Sequence, residues 1–428
     1  MWDIYLHIVF FVLGSEYVGN FRSLVMMSYF TRLCEPIKSN SYFIFGARGT
    51  GKTSLIHRML ENQRVWDINL LDLATEDLYC RNPDLLYRQL LAKHAEFDWV
   101  FIDEIQKVPE LLNVVHRAIE SKEFKSPKFA MTGSSARKLK RGSANLLAGR
   151  AFVNNLYPLT HLELGDRFNL EDALNWGTLP KIFAYEEDEE KAEFLRAYGL
   201  TYLKEEIWNE HLVEDLDPFR LFLEVAAQAN GTIVNYLKIA QDVGANEKTV
   251  KRYFELLEET LLGFHLNAYS RSIRKRQSKS PKFYLFDTGV SRALARFLGQ
   301  RIIPKTQPYG ISFEQFLIAE CFRLNDYFRK DFRFSYFRTK DGAEIDLLID
   351  RPGQPLALVE IKSSESTTIN DVKHLIKLRD EFGPCETFCF SNNSLEFIEE
   401  GIHFLHWKEG LKRVGLVPVN QAIGIHSQ

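Results

Sequence analysis

The sequence predicts an α/β fold in which a parallel sheet flanked by helices is followed by smaller domains. Three observations predict it. A short apolar run, Tyr42-Phe43-Ile44-Phe45, passes through a glycine-rich loop into the helically periodic Ser54-Leu55-Ile56-His57-Arg58-Met59-Leu60. A second apolar run, Trp99-Val100-Phe101-Ile102, ends in the adjacent acids Asp103 and Glu104. A third, Lys128-Phe129-Ala130-Met131-Thr132, runs into Gly133-Ser134-Ser135. Apolar runs with polar tips fit strands buried on both faces, and ligands of open α/β sheets bind beyond the C-terminal ends of such strands.

The loop after the first run is Gly46-Ala47-Arg48-Gly49-Thr50-Gly51-Lys52-Thr53, the spacing G-x-x-x-x-G-K-T between a strand and a helix. Glycines let backbone N–H groups converge on a phosphate, and the helix N-terminus adds partial positive charge there. The expectation is therefore bound ATP or GTP, with Lys52 neutralising the β/γ-phosphates and the Thr53 hydroxyl holding Mg²⁺. Asp103 would hold the same ion through water. Glu104 would orient and polarise the attacking water, so it is the expected catalytic base. Ser134, at the third strand's tip, is the candidate sensor of the γ-phosphate, and a plain Gly-Ser turn is the alternative. Arg150, in Leu147-Ala148-Gly149-Arg150, is a candidate arginine finger acting in cis or from a neighbouring subunit. Its plainer reading is a surface arginine before the strand Ala151-Phe152-Val153. The cations of Arg137-Lys138-Leu139-Lys140-Arg141 fall in the same stretch.

Composition fits a soluble protein of two to four domains. The chain has 428 residues, 45% of them hydrophobic and 26% charged. A net charge of −3 gives no whole-chain polybasic character, so any nucleic-acid contact must rest on local patches. Five scattered cysteines, Cys34, Cys80, Cys321, Cys385 and Cys389, form no C-x-x-C pair. They predict buried free thiols in a reducing cytoplasm rather than a zinc site or disulfides. The apolar stretch Ile4 to Leu13 is far shorter than the ~20 residues that cross a bilayer, and no basic residue precedes it. Residues 1–29 are expected to be an extension before a natural start near Met26 or Met27, with a peripheral helix as the alternative.

Residues 30–159 make the expected nucleotide-binding core. A helical lid is expected over 160–225, with the turn Gly177-Thr178-Leu179-Pro180 and the acidic run Glu186 to Glu190 at a helix start, where it complements the dipole. Residues 226–305 read as a winged helix. Ile233 to Val243 is an amphipathic helix, Gly244 a turn, and Asn246 the N-cap of a helix through Thr260. Two strands, Leu261 to Tyr269 and Phe283 to Phe286, flank a basic wing at 271–282. Residues 231–282 hold ten Lys/Arg against five Asp/Glu, a surplus of five. With Lys248, Lys251 and Arg252 on the second helix, this predicts contact with DNA phosphates. A protein-contact element or a solvated loop are the alternatives.

Residues 306–428 form the last expected domain, an α/β unit. Glu344-Ile345-Asp346 and Glu360-Ile361-Lys362 stand on two strands of a hairpin closed by Pro352-Gly353, and alternation puts Glu360 and Lys362 on one face. Glu314, on the preceding helix, joins them. An Asp, a Glu and a Lys so placed form the PD-(D/E)xK arrangement, in which carboxylates bind Mg²⁺ and the lysine activates water. A remnant ion pair between Lys362 and the carboxylates is the alternative.

This order of elements resembles the AAA+ superfamily ATPases of bacteria and archaea that end in a restriction-endonuclease-like domain of unknown function. The residues that carry the resemblance are the loop with Arg48 inside it, Phe101-Ile102-Asp103-Glu104-Ile105-Gln106, and Met131-Thr132-Gly133-Ser134-Ser135-Ala136-Arg137-Lys138-Leu139. Leu147 to Arg150, Tyr157-Pro158-Leu159 and the two acidic motifs of the last domain complete it. It implies a P-loop NTPase core of the AAA+ type with ATP and Mg²⁺, then a helical and winged-helix middle and a PD-(D/E)xK nuclease-like end. DNA is the expected partner. A homo-oligomer is compatible with it, and no membrane is involved.

Overall fold

The computed structural model describes residues 30–135, 147, 149–199, 216–270 and 279–418. The expected N-terminal extension, the cation-rich stretch 137–141, residues 271–278 of the expected wing and the tail 419–428 lie outside the described residues.

The core runs β1 (Ser41–Phe45), α1 (Lys52–Met59), β2 (Val65–Asn69), α2 (Leu73–Arg81), α3 (Asp84–Lys93), β3 (Trp99–Asp103), α4 (Leu111–Ile119), β4 (Lys128–Gly133) and β5 (Ala151–Asn155). All five strands are parallel, in the order β2-β3-β4-β1-β5. Period-2 alternation sorts their side chains into two buried layers. Phe43, Phe45, Val100, Ile102, Phe129 and Met131 meet Leu86 and Leu90 of α3 and Leu111, Leu112 and Val115 of α4. On the other face Tyr42, Ile44, Trp99, Phe101 and Ala130 meet Leu55 and Ile56 of α1. The apolar runs of the sequence are continuous because helices cover both faces. Parallel register also brings the tips of β1, β3 and β4 to one edge, with Phe45 opposite Gly133 and Ile102 opposite Met131.

The middle of the chain is helical. α5 (His161–Leu164) starts in a capping box between Thr160 and Glu163. α6 (Leu170–Trp176) precedes the Gly177 turn, and α7 (Asp188–Ala197) opens on Asp188, Glu189 and Glu190, as the acidic run predicts. After α8 (Leu216–Gln228) come α9 (Tyr236–Val243) and α10 (Glu247–Glu259). Gly244 takes φ 68° between them, and the Asn246 side chain accepts from the Thr249 N–H at 2.8 Å, the expected N-cap. The flanking strands are shorter than the sequence suggests. β6 (Gly263–Leu266) and β7 (Lys282–Leu285) form a two-stranded antiparallel ribbon.

After α11 (Thr288–Leu294), the long α12 (Gln307–Tyr327) packs on a six-stranded mixed sheet. Its strands are β8 (Arg333–Arg338), β9 (Glu344–Asp350), β10 (Leu356–Lys362), β11 (Cys385–Ser391), β12 (Phe397–Glu399) and β13 (Ile402–His406), ordered β12-β13-β11-β10-β9-β8. α13 (Lys373–Arg379) covers the opposite face, and α14 (Trp407–Arg413) follows β13. The ribbon does not stand free of this sheet. The chain leaving β6 bonds to β8, with Tyr269 N donating to Tyr336 O at 2.6 Å and Tyr336 N to Asn267 O at 3.0 Å. Among the described residues no helix is long and apolar enough to cross a membrane. All five cysteines are free; Cys34, Cys321 and Cys389 are buried and Cys80 is exposed.

Candidate nucleotide site

The loop between β1 and α1 has the shape of a phosphate cradle. Gly49 and Gly51 take φ 79° and 92°, a region costly for residues with a Cβ. At Gly46 a Cβ would lie 2.3 Å from the Leu156 carbonyl oxygen, so only glycine lets the loop pass this close to the exit of β5. Lys52 is buried, its Nζ donating to Gly46 O at 2.9 Å and standing 3.8 Å from Glu104 Oε1. Thr53, one residue on, donates its hydroxyl to Asp103 Oδ2 at 2.9 Å. Asp103 is gripped from the other side by the Thr132 hydroxyl of β4. The strand order explains this grip, because β4 lies between β1 and β3.

Glu104 leaves the tip of β3 with φ 58°, the left-handed region that costs a non-glycine residue about 1–2 kcal/mol. Its backbone N–H donates to Thr132 Oγ1 at 3.0 Å, which holds that turn. The Gln106 amide donates both to the Glu104 carboxylate and, at 3.2 Å, to Ser134 Oγ. The carboxylate is thus pinned between the Lys52 ammonium and an amide that also touches the candidate sensor. The buried Oε1 of Gln106 has no hydrogen-bond partner and crowds Gly133, where a Cβ would come within 2.7 Å of it.

The residues fit a magnesium–nucleotide complex. The loop supplies backbone N–H groups and an ammonium for phosphate. Thr53 and Asp103 supply one hydroxyl and one carboxylate, the sparse donor set that suits an ion ligated mostly by water and phosphate. Lys52, Thr53, Asp103, Glu104 and Ser134 come together at one edge of the sheet. Arg150 does not join them. It precedes β5, whose Ala151 lies opposite Ser41, so it stands at the far edge of the sheet, and its Nε bonds to Glu120 Oε1. The in-cis form of the arginine-finger expectation is corrected by this register, because the loop lies at the other end of β1.

Three contributors have no local sequence signature. Thr132 and Gln106 hold the two acids. Arg32 lies before the loop, with Nη1 donating to Thr50 O at 2.6 Å, Nη2 to Tyr157 O at 2.6 Å and Nε to Glu163 Oε1 at 2.9 Å. Nη2 also reaches the Tyr327 hydroxyl at 3.3 Å, tying the loop to the end of α12. At the C-terminal end of α7 the Tyr198 hydroxyl donates to Arg48 O at 2.8 Å.

In the C-terminal domain Glu314, Asp346, Glu360 and Lys362 do converge, but as an ion-paired cluster. Lys362 Nζ donates to Glu360 Oε1 at 2.7 Å, and His374 Nε2 lies 2.9 Å from Glu360 Oε2. Asp346 Oδ2 accepts from Ile361 N at 2.9 Å. Burial, and then the charges of Glu360 and Glu314, hold the Asp346 carboxyl well above the usual carboxylate range. Among the described residues no three His, Cys, Asp or Glu side chains are grouped to hold a metal ion, so the expected second metal site is not assembled as these paired side chains stand. Lys282, expected as the last cation of the wing, is buried in the same cluster and is not available to DNA.

Comparison with known proteins divides the chain into three. Residues 38–165 match a family model described as an AAA domain. Residues 167–301 and 309–409 match two domains of unknown function, DUF8612 and DUF4143. Uncharacterized proteins of Mycobacterium tuberculosis and Mycobacterium bovis are each 26% identical over 276 residues, which is 63% of this chain. The match spans 60% of the length of those relatives. An uncharacterized protein of Haemophilus influenzae is 23% identical over 79% of this chain and 86% of its own. Among solved structures, a RuvB of Thermotoga maritima has a TM-score of 0.27 at 16% identity, covering 57% of this chain and 84% of its own. Domain III of the Thermotoga maritima replication initiation protein DnaA scores 0.24 at 15% identity, covering 58% and 94%. Both likenesses are too slight to bear on fold or function. The AAA-domain match, lying on the parallel sheet and its phosphate loop, supports an AAA+-type ATPase core in residues 38–165.

Proposed function

We propose that this chain hydrolyses ATP with Mg²⁺ and couples turnover to duplex DNA through its helix-turn-helix. The grip on Asp103 carries the reading: a buried carboxylate fixed by Thr53 from the loop and Thr132 from β4, beside a Glu104 held in a strained turn. Bound magnesium would neutralise charge on the β- and γ-phosphates. Loop amides and Lys52 would hold those phosphates, and Thr53 and Asp103 would hold the ion. Glu104 would take a proton from the attacking water, with Gln106 aiming its carboxylate and Ser134 facing the γ-phosphate. Arg150 would serve as a finger only from a neighbouring copy, given its place at the far edge of the sheet.

Residues 226–305 are read as a winged helix and 306–428 as a nuclease-like fold. Lys248, Lys251 and Arg252 are exposed on α10, the helix that would face a groove, and this favours DNA as partner. Lys251 also pairs with Glu247 at 2.6 Å, so Lys248 and Arg252 are the stronger phosphate contacts.

Two measurements test the reading. Wild type should take up fluorescent ATP with magnesium, and Lys52→Ala should lose that uptake; absence of uptake by wild type would end the proposal. Steady-state ATP turnover should rise on adding duplex DNA, and the rise should shrink steeply with salt and in Lys248→Ala/Arg252→Ala. Turnover indifferent to DNA at low salt would instead favour a nucleotide switch acting on a protein partner.

A further inference from the structure

β7 presents two faces to two different domains. Phe283 and Leu285 point into the helical core with Phe254 and Leu257, whereas Lys282 and Tyr284 point the other way, toward α12 and the C-terminal sheet. Lys282 is 4% exposed. Its Nζ stands 3.2 Å from Glu314 Oε1 and 2.5 Å from Glu344 Oε1. The Tyr284 hydroxyl donates to the same Glu314 oxygen at 2.6 Å. Glu344 and Asp346 are two apart on β9, and both act electrostatically on Lys282 together with Glu314.

We propose that the Lys282 ammonium is the resident cation of this acidic site, standing where a divalent ion would join Glu314 to Asp346, so that the C-terminal domain works without a metal and does not cleave phosphodiesters.

The chemistry of the cluster argues for it. Carboxylates this close and at least partly buried need positive charge among them, supplied by a metal or by side chains. Here Lys282 and Lys362 supply it, and each carboxylate has an internal partner. Glu314 is bound by Lys282 and Tyr284, Glu360 by Lys362 and His374, and Asp346 by the Ile361 N–H. A divalent ion entering between Glu314 and Asp346 would meet the ammonium head-on and would have to strip these bonds. The same lysine belongs to the ribbon, which makes the acidic site a clasp between the ribbon and the C-terminal sheet.

Mn²⁺ titration of the full-length, nucleotide-free protein, followed by the electron paramagnetic resonance of free Mn²⁺, tests this without any activity assay. Wild type should show no Mn²⁺ binding that Asp346→Asn removes. Lys282→Met should gain at least about tenfold in Mn²⁺ affinity, and Lys282→Met/Asp346→Asn should lose the gain. Asp346-dependent Mn²⁺ binding by wild type would overturn the proposal, as would a folded Lys282→Met protein with no gain. If Lys282→Met does not fold, the wild-type titration decides alone. Failure here leaves the ATPase reading standing, because Lys52 and Asp103 take no part in it.

Discussion

Replacing Glu104 by Gln should leave ATP binding intact and lower turnover by about 10²–10⁴-fold, the range a positioned general base contributes. The substitution keeps the side chain's shape and a carbonyl oxygen for the Gln106 amide, but it removes the ability to take a proton. The left-handed turn at Glu104 is held by the Thr132 hydroxyl, not by the carboxylate, so the backbone should not relax. Binding measured with fluorescent ATP and turnover measured as phosphate release separate the two effects. Unchanged turnover would remove Glu104 from the reaction. Gln106→Ala gives the complementary result: a smaller loss, seen in turnover and not in ATP affinity, because that amide touches the Glu104 carboxylate and Ser134 but donates nothing to the loop. If ATP affinity fell instead, Gln106 would be shaping the loop.

What the sequence discloses about this site is what lies within a few residues of a motif. The loop, its lysine and threonine, and the acids at the tip of β3 are contiguous, and each carries its own chemical signature, so they were legible. The strand order was not. Three apolar runs do not say that β4 lies between β1 and β3, and without that order Thr132 is only the end of a strand. Gln106 is legible only once Glu104 is seen to turn back toward β4. Lys282 misleads for a different reason. It ends a run of cations that reads as a solvated wing, and the alternation that turns it inward beside Tyr284 depends on a C-terminal sheet whose position no local pattern encodes. The same blindness covers Arg150. A cation shortly after a nucleotide motif invites a catalytic role, and only the parallel register with β1 places it at the far edge. Conversely, the Asn246 cap and the acidic start of α7 were legible because capping and dipole effects are local.

Arg32→Met should be the most destabilising change outside the apolar core, at about 3–5 kcal/mol, because it strands a buried carboxylate. The Glu163 side chain is fully buried and the Arg32 side chain is 7% exposed. Glu163 accepts from Arg32 Nε, from Leu33 N at 2.8 Å and from Thr160 N at 2.8 Å, so it can leave neither its helix cap nor its charge behind. Arg32→Lys should recover little, since one ammonium cannot reach Glu163, Thr50 O and Tyr157 O at once as the guanidinium fork does. Adding Glu163→Gln to Arg32→Met should recover part of the loss, because removing both charges costs less than isolating one. Thermal unfolding of wild type, Arg32→Met, Arg32→Lys, Glu163→Gln and the double variant reads this directly. An unshifted midpoint for Arg32→Met, or a double variant as unstable as the sum of the singles, would reject the buried pair as the source. The same arginine holds the Thr50 carbonyl and the Tyr327 hydroxyl, so its loss should weaken ATP binding as well as stability. The same concentration of ATP should then raise the midpoint of Arg32→Met by less than it raises that of wild type, since stabilisation by a ligand grows with the logarithm of its concentration over its dissociation constant. An equal rise in both would confine Arg32 to the scaffold and free the loop from its influence.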